Sequence, residues 1–251
     1  MNVLVCVKRV PLTGGKIVLT DDQRAISTRH LGFTVSPHEE CGVEEAVRLV
    51  EQHGGSSVVL TLGPPEAEEQ LRDMMALGVD RAVHLVTDGG EWDPQGTADA
   101  LVAAIRSQPD NFDLILFGNE SADAGNYQVA IRVAHKLGLP VVTGIKGIAV
   151  SDGHLRLEQE VAGGRDVYIA PMPAVVTVKE GLNLPRYPSV PGRLRAKRKP
   201  LDSSTPARPD PQLEMVKLTL PPGSGKQAQV LGNGADAAPA VVSVLDELGL
   251  L

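Results

Sequence analysis

The chain has 251 residues, 42% hydrophobic but only 3% aromatic, which is enough for an aliphatic core in one large domain or one domain with an appendage. A net charge of −7 argues against nucleic acid as the main partner, because phosphate binding needs a basic surface. Two cysteines, Cys6 and Cys41, argue against a disulfide framework, and no run of about 18 apolar residues is present to span a membrane. The opening MNVLVCVKRVP is too short an apolar run for a signal peptide, so a cytoplasmic protein is expected.

In chain order, NVLVCVKRV is a short Val-rich run of the kind that forms a buried parallel strand. SPHEECGVEEAVRLVEQHG reads as a helix: Ser36 is its N-cap, Pro37 opens the first turn, and Val43, Ala46, Val47 and Val50 recur at helical spacing. Next come a strand (SSVVLTLG), a helix (PPEAEEQLRDMMALG), a strand (RAVHLV), a helix (DPQGTADALVAAIRSQ), a strand (FDLILFG) and a helix (NYQVAIRVAHKLG). This alternation predicts an α/β fold, a doubly wound and mostly parallel sheet with helices on both faces.

The pattern changes after Pro140. Residues 141–179 alternate in strand fashion around Ser151-Asp152-Gly153 and Gly163-Gly164, which predicts antiparallel hairpins extending the sheet. Residues 197–236 are rich in Pro, Gly, Ser and Ala and read as an arm leaving the domain. AAPAVVSVLDELGLL closes the chain as a short amphipathic helix that cannot bury its apolar face alone. The arm is either docked on another subunit or a floppy tail. The domains are expected at 1–196, an α/β domain with a loop at 182–198, and at 197–251, the arm.

Parallel sheets bind ligands beyond the carboxyl ends of their strands. The first strand ends in CVKRVPLTGG, with neither a dinucleotide fingerprint nor a P-loop, and GSGKQ at 223–227 has no strand before it. In LFGNESADAGNYQV, the small residues Gly118, Ser121, Ala122, Ala124 and Gly125 permit close approach of a ligand. A helix starting near Asn126 or Tyr127 would offer free N–H groups to a phosphate. An ordinary strand-to-helix loop capped by Asp123 or Asn126 is the alternative. The six histidines are scattered without metal-ligand spacing, no nucleophile elbow is present, and Glu44-Glu45 read as a solvated first turn. No metal and no catalytic residue are expected.

VKEGLNLPRYPSVPGRLRAKRK, residues 178–199, reads as a stiff surface loop. Pro185, Pro188 and Pro191 lower the entropy lost on docking, and Val190 forms an apolar tip. Arg193, Arg195, Lys197, Arg198 and Lys199 form a basic flank able to steer an acidic partner. A surface loop with a solvated charge run is the plain alternative.

Three stretches resemble the beta subunit of electron transfer flavoprotein: VKRVP, SPHEECGVEEAVRL and GLNLPRYPSVPGRLRAKRK. That family, which includes nitrogen-fixation-associated and electron-bifurcating members, shows NPF-EI-A-EEA-RL and LNEPRY-TLP-IM-AKKK in the same order and spacing. The resemblance implies an adenine-nucleotide-hydrolase-like domain with an arm embracing an alpha subunit. It implies FAD held mainly by that subunit and an AMP buried in this one. It also implies a recognition loop for flavin dehydrogenases such as acyl-CoA dehydrogenase, serving fatty acid oxidation, with electrons passed to a quinone oxidoreductase or similar acceptor.

Carried over position by position, the resemblance implies nucleotide contacts at Cys6, Ser36, Pro37, His38, Glu39, Leu62, Gly63, Gly118, Ser121, Asp123, Gly125, Asn126, Tyr127, Gln128 and Val129. It implies partner contacts at Tyr187, Val190, Pro191, Arg193, Arg195 and Lys197. Departures are Ser36 for the family Asn, Leu12 for an acid, Val190 for the anchoring Leu, and Val129 for a phosphate-binding Thr. Bifurcating members also carry Gln-Val at the last position and bind a second FAD in place of AMP, so a bifurcating, NADH-oxidising subunit is the alternative. A stand-alone nucleotide-hydrolysing domain of the universal-stress type would need a G-x2-G-x9-G-[ST] loop, which the sequence lacks.

Overall fold

The computed structural model describes residues 1–12, 14, 17–221 and 229–251; GSGKQ at 223–227 lies outside the described residues. Residues Met1–Lys217 form one compact unit and Leu218–Leu251 a second. The first contains β1 (Asn2–Cys6), β2 (Val10–Pro11), β3 (Phe33–Thr34), α1 (Pro37–His53), β4 (Ser56–Gly63), α2 (Glu68–Leu77), β5 (Arg81–Val86), α3 (Pro94–Arg106) and β6 (Leu114–Gly118). It continues through α4 (Val129–Leu137), β7 (Val141–Ser151), β8 (His154–Val161), β9 (Gly164–Pro171), β10 (Ala174–Val178), α5 (Val190–Ala196) and β11 (Leu201–Ser204). In the second unit, α6 (Ala238–Glu247) leaves Val241 and Val242 exposed.

The main sheet has the order β11-β5-β4-β1-β6-β10-β7-β8-β9. Every pair from β11 to β7 is parallel, and β8 and β9 add antiparallel ribbons. The strand runs are continuously apolar because both faces are covered. In β1, Val3 and Val5 point into a core with α1 and α2, while Leu4 and Cys6 point into a second core with α3 and α4. The chain winds from β1 outward through β4 to β5, then returns across the sheet to β6 on the other side of β1. The winding therefore reverses between β1 and β6, and the carboxyl ends of those two strands open onto the crevice where such sheets bind ligands.

The hairpins form as expected at β7-β8-β9. The first turn, Asp152-Gly153, takes φ of 49° and 77°, the left-handed pair that matches strand twist. β10 is not part of a hairpin extension: it inserts between β6 and β7 and pairs with both in parallel. All five of its side chains are buried, which a local alternation pattern does not register.

Two further elements differ from the sequence reading. The expected loop at 182–198 contains a helix, α5. Ser189 caps it by accepting a hydrogen bond from the Gly192 N–H at 3.1 Å, and Pro191 sits in its first turn, where the missing N–H costs nothing. Gly192 and Ala196, one turn apart, face inward; a Cβ at Gly192 would lie 2.7 Å from the Ala76 carbonyl oxygen, so α5 lies tightly on α2. The arm expected from 197 instead starts within the sheet, because β11 pairs with β5 from Leu201↔Ala82 to Ser204↔Leu85.

Candidate functional site

At the β1–β6 crevice lies a cleft of about 450 Å³, bounded by the start of α1 and the loop after β6. The α1 side supplies Ser36, Pro37 and His38, and the loop supplies residues 120–125 and Tyr127. Glu180, just beyond β10, closes the cleft.

The two walls are joined by buried polar contacts. The Ala122 N–H donates to Ser36 Oγ at 2.9 Å. Glu39, buried in the first turn of α1, accepts from the Ser36 N–H through one oxygen and from the Lys8 N–H through the other, each at 3.1 Å. Burial pushes the Glu39 carboxyl up to about 8, although these hydrogen bonds and the Lys8 charge oppose the rise. Lys8 Nζ bridges Asp123 at 2.8 Å and Glu91 at 2.9 Å. Burial also raises the Asp123 carboxyl, but Lys8 and hydrogen bonds from Ser121 and Ala124 outweigh it and hold it below the usual range. His38 Nδ1 accepts from the Glu180 N–H at 2.7 Å, so its proton resides on Nε2, 3.3 Å from Glu120 Oε1.

Of the nucleotide positions carried over from the family, the structure brings Ser36, Pro37, His38, Ser121, Asp123, Gly125 and Tyr127 to the cleft wall. Glu39 stands behind the wall. Gly118 ends β6 against it, since a Cβ there would lie 2.7 Å from Glu39 Cγ. Cys6 is buried in the core with α3 and α4, where burial pushes its thiol up. Leu62 and Gly63 end β4 beside β1. Asn126 and Gln128 precede α4, and Val129 opens it. The helix thus starts at Val129 and not near Asn126, because Gly125 and Tyr127 both take φ of 56°, which is incompatible with a right-handed turn.

The donor set fits a nucleoside phosphate. The N–H groups in the first turn of α4 have no intrahelical acceptor, a ready partner for an anion. Glu120, Asp123 and Glu180 are acceptors suited to ribose hydroxyls and not to phosphate. Val129 contributes no hydroxyl. Lys8, Glu120 and Glu180 were not singled out in the sequence; Lys8 follows β1 and Glu120 follows β6, each by two residues, a topological signal that was available.

A second surface lies around α5. Leu184 is 91% exposed, Tyr187 96%, Val190 73% and Leu194 60%. Val190 and Leu194, one turn apart, share a face of α5. Arg193, Arg195 and Lys197 are exposed beside them, with Arg193 paired to Asp73 at 3.1 Å. Lys199 does not join this flank; its ammonium donates to the Met75, Gly78 and Val79 carbonyls at the end of α2.

The segment leading into α5 is held on α1. Arg186 donates to Glu44 Oε2 at 2.9 Å and Oε1 at 3.1 Å, and reaches Glu51 at 2.7 and 3.0 Å. Asn183 donates to Glu45 at 2.9 Å and to the Cys41 carbonyl at 3.0 Å. Glu44 and Glu45 are therefore buried structural anchors, not the solvated turn their sequence suggests. They join the second and third family stretches into one unit.

No helix among the described residues is long and apolar enough to cross a membrane, and no cluster of metal-ligating side chains was found among them. A family model described as "Electron transfer flavoprotein domain" matches residues 25–209. The chain is 34% identical to the electron transfer flavoprotein subunit beta of Bacillus subtilis (strain 168), over 98% of this chain and 97% of that protein. It is 35% identical to the subunit beta of Syntrophomonas wolfei over 88% and 86%, and 33% identical to that of Bradyrhizobium diazoefficiens over the full length of both. An α/β sheet with this reversal point, matched along its whole length to proteins of that name, makes the chain a member of the electron transfer flavoprotein beta-subunit family, a component of an electron-carrying flavoprotein.

Proposed function

We propose that this chain forms a heterodimer with a flavin-bearing alpha subunit and carries electrons from flavin dehydrogenases of the acyl-CoA dehydrogenase type to a quinone oxidoreductase or similar acceptor in the cytoplasm. The observation that carries this reading is the exposed apolar face of Leu184, Tyr187, Val190 and Leu194, held rigid on α1 by Arg186 and on α2 by Gly192. An apolar face that is fixed before contact loses little entropy on docking, which suits a transient encounter. Arg195 and Lys197 beside it would steer an acidic partner. FAD, held mainly by the alpha subunit, supplies the redox chemistry. This chain positions and docks, and has no substrate of its own. The arm that follows β11, ending in the exposed face of α6, is proposed to embrace the alpha subunit.

AMP is the proposed occupant of the cleft at Ser36–His38 and 120–127. Its phosphate would meet the first-turn N–H groups of α4, and its ribose the acidic rim. A second FAD in a bifurcating, NADH-oxidising complex is the other reading, favoured by Val129 where a phosphate-binding hydroxyl would stand.

Coexpression with an alpha subunit tests both. A yellow heterodimer releasing one flavin and one AMP on denaturation supports the carrier. Two flavins and no AMP support bifurcation. A colourless chain that associates with nothing contradicts the proposal.

A further inference from the structure

The loop at 88–96, between β5 and the start of α3, touches two parts of the molecule that are far apart in sequence. On one side it receives the segment after β11. Arg208 donates to the Glu91 carbonyl at 2.5 Å and lies 5.9 Å from the centre of the buried Trp92 ring. Asp93 accepts from the Gln212 N–H at 2.7 Å and the Leu213 N–H at 3.1 Å, while its other oxygen caps α3 by accepting from Gly96 at 2.7 Å. Burial alone would raise the Asp93 carboxyl, but these three N–H donors and Arg132 hold it below the usual range. Pro209 is fitted closely, since a Cβ at Gly96 would lie 2.9 Å from its Cγ.

On its other side the same loop reaches the cleft by two independent polar routes. Glu91 binds Lys8 at 2.9 Å, and Lys8 binds Asp123 of the cleft wall at 2.8 Å. Gln95 accepts from Arg132 Nη1 at 2.7 Å, and Arg132 Nη2 binds Gln128, the residue before α4, at 2.9 Å. The loop thus reaches both Asp123 of the cleft wall and Gln128, the residue before α4.

We propose that residues 208–213 act as a clasp whose seating on the 88–96 loop is thermodynamically coupled to nucleotide binding in the cleft, through Glu91–Lys8–Asp123 and Gln95–Arg132–Gln128. The coupling rests on the nucleotide reading of the cleft. It is reciprocal: an occupied cleft holds the clasp down, and a seated clasp raises nucleotide affinity by the same factor.

The test uses the full-length protein stripped of nucleotide, with AMP as the probe. Calorimetric titration of wild type and Arg208→Ala should show AMP binding weakened at least about fivefold in the variant. Amide hydrogen exchange of wild type should show Gln212 and Leu213, the two N–H groups bonded to Asp93, slowed by a similar factor when AMP saturates the cleft. That protection should vanish in the Glu91→Gln/Gln95→Ala double variant, which cuts both routes. AMP binding with equal affinity in Arg208→Ala, or exchange at Gln212 and Leu213 unchanged by AMP in wild type, overturns the coupling and leaves the nucleotide site standing. Failure of the wild-type protein to bind AMP overturns the AMP reading of the cleft and, with it, the coupling.

Discussion

Replacing Arg186 with Met removes the guanidinium and keeps most of the apolar stem. The guanidinium makes four side-chain hydrogen bonds, two to Glu44 and two to Glu51, with donor–acceptor distances of 2.7–3.1 Å. Glu51 is exposed and its loss of a partner is screened by water, so its share is under about 1 kcal/mol. The Glu44 side chain is only 6% exposed, and the change leaves its carboxylate buried with the Arg186 backbone N–H as its remaining donor. Stranding a buried charge costs about 3–5 kcal/mol; the 35% exposure of Arg186 admits some water and places the expected loss near 3 kcal/mol. For a domain of this size that is a fall in Tm of roughly 6–12 °C. Adding Glu44→Gln removes the stranded charge and should restore about half of the loss. Thermal unfolding of the wild type, both single variants and the double variant gives the coupling directly. A fall in Tm below about 2 °C for Arg186→Met, or no recovery in the double variant, would refute the view that this contact clamps the docking segment to α1.

Two further outcomes follow from buried polar groups. Glu39 has a folded-state value of about 8 against an ordinary 4.5, so between those values the folded chain holds more protons than the unfolded one. Its contribution to stability is therefore complete below the ordinary value and is lost as pH rises through about 8, a loss of roughly 4–5 kcal/mol. Urea midpoints at pH 5 and pH 8 should converge in Glu39→Gln, and an unchanged difference would show that another group sets the slope. Lys199→Met removes the donor to three carbonyls at the end of α2 and should cost about 1–3 kcal/mol by urea unfolding while electron acceptance from a dehydrogenase stays at the wild-type rate. Slower acceptance with unchanged stability would return Lys199 to the docking flank.

The alternation of strands and helices was legible because strands buried on both faces leave continuous apolar runs such as VLVC and VVLTL, and helices leave capped periodic ones. The helix α5 was missed although Ser189 followed by Pro191 is the same start signal that was read correctly at Ser36 and Pro37; the density of prolines around it suggested a loop. Glu44 was misread because its partner Arg186 lies 142 residues away, and no local pattern distinguishes a buried acid from a solvated one. For the same reason β10 could not be placed between β6 and β7. The loop after β6 was found as a candidate site, since small residues at the carboxyl end of a parallel strand are a local feature, but Glu180 lines the cleft, and Lys8 pairs with Asp123 of its wall, from other elements.

The most direct test of a docking role is the rate at which the purified heterodimer accepts electrons from a dehydrogenase when the apolar face carries charge. Val190→Asp/Leu194→Asp should assemble with its partner and retain its flavin, because both side chains are exposed on α5, yet kcat/KM with the dehydrogenase should fall at least about tenfold. Wild-type kcat/KM in the double variant would contradict the assignment of this face, and with it the account of the chain as the docking subunit of an electron carrier.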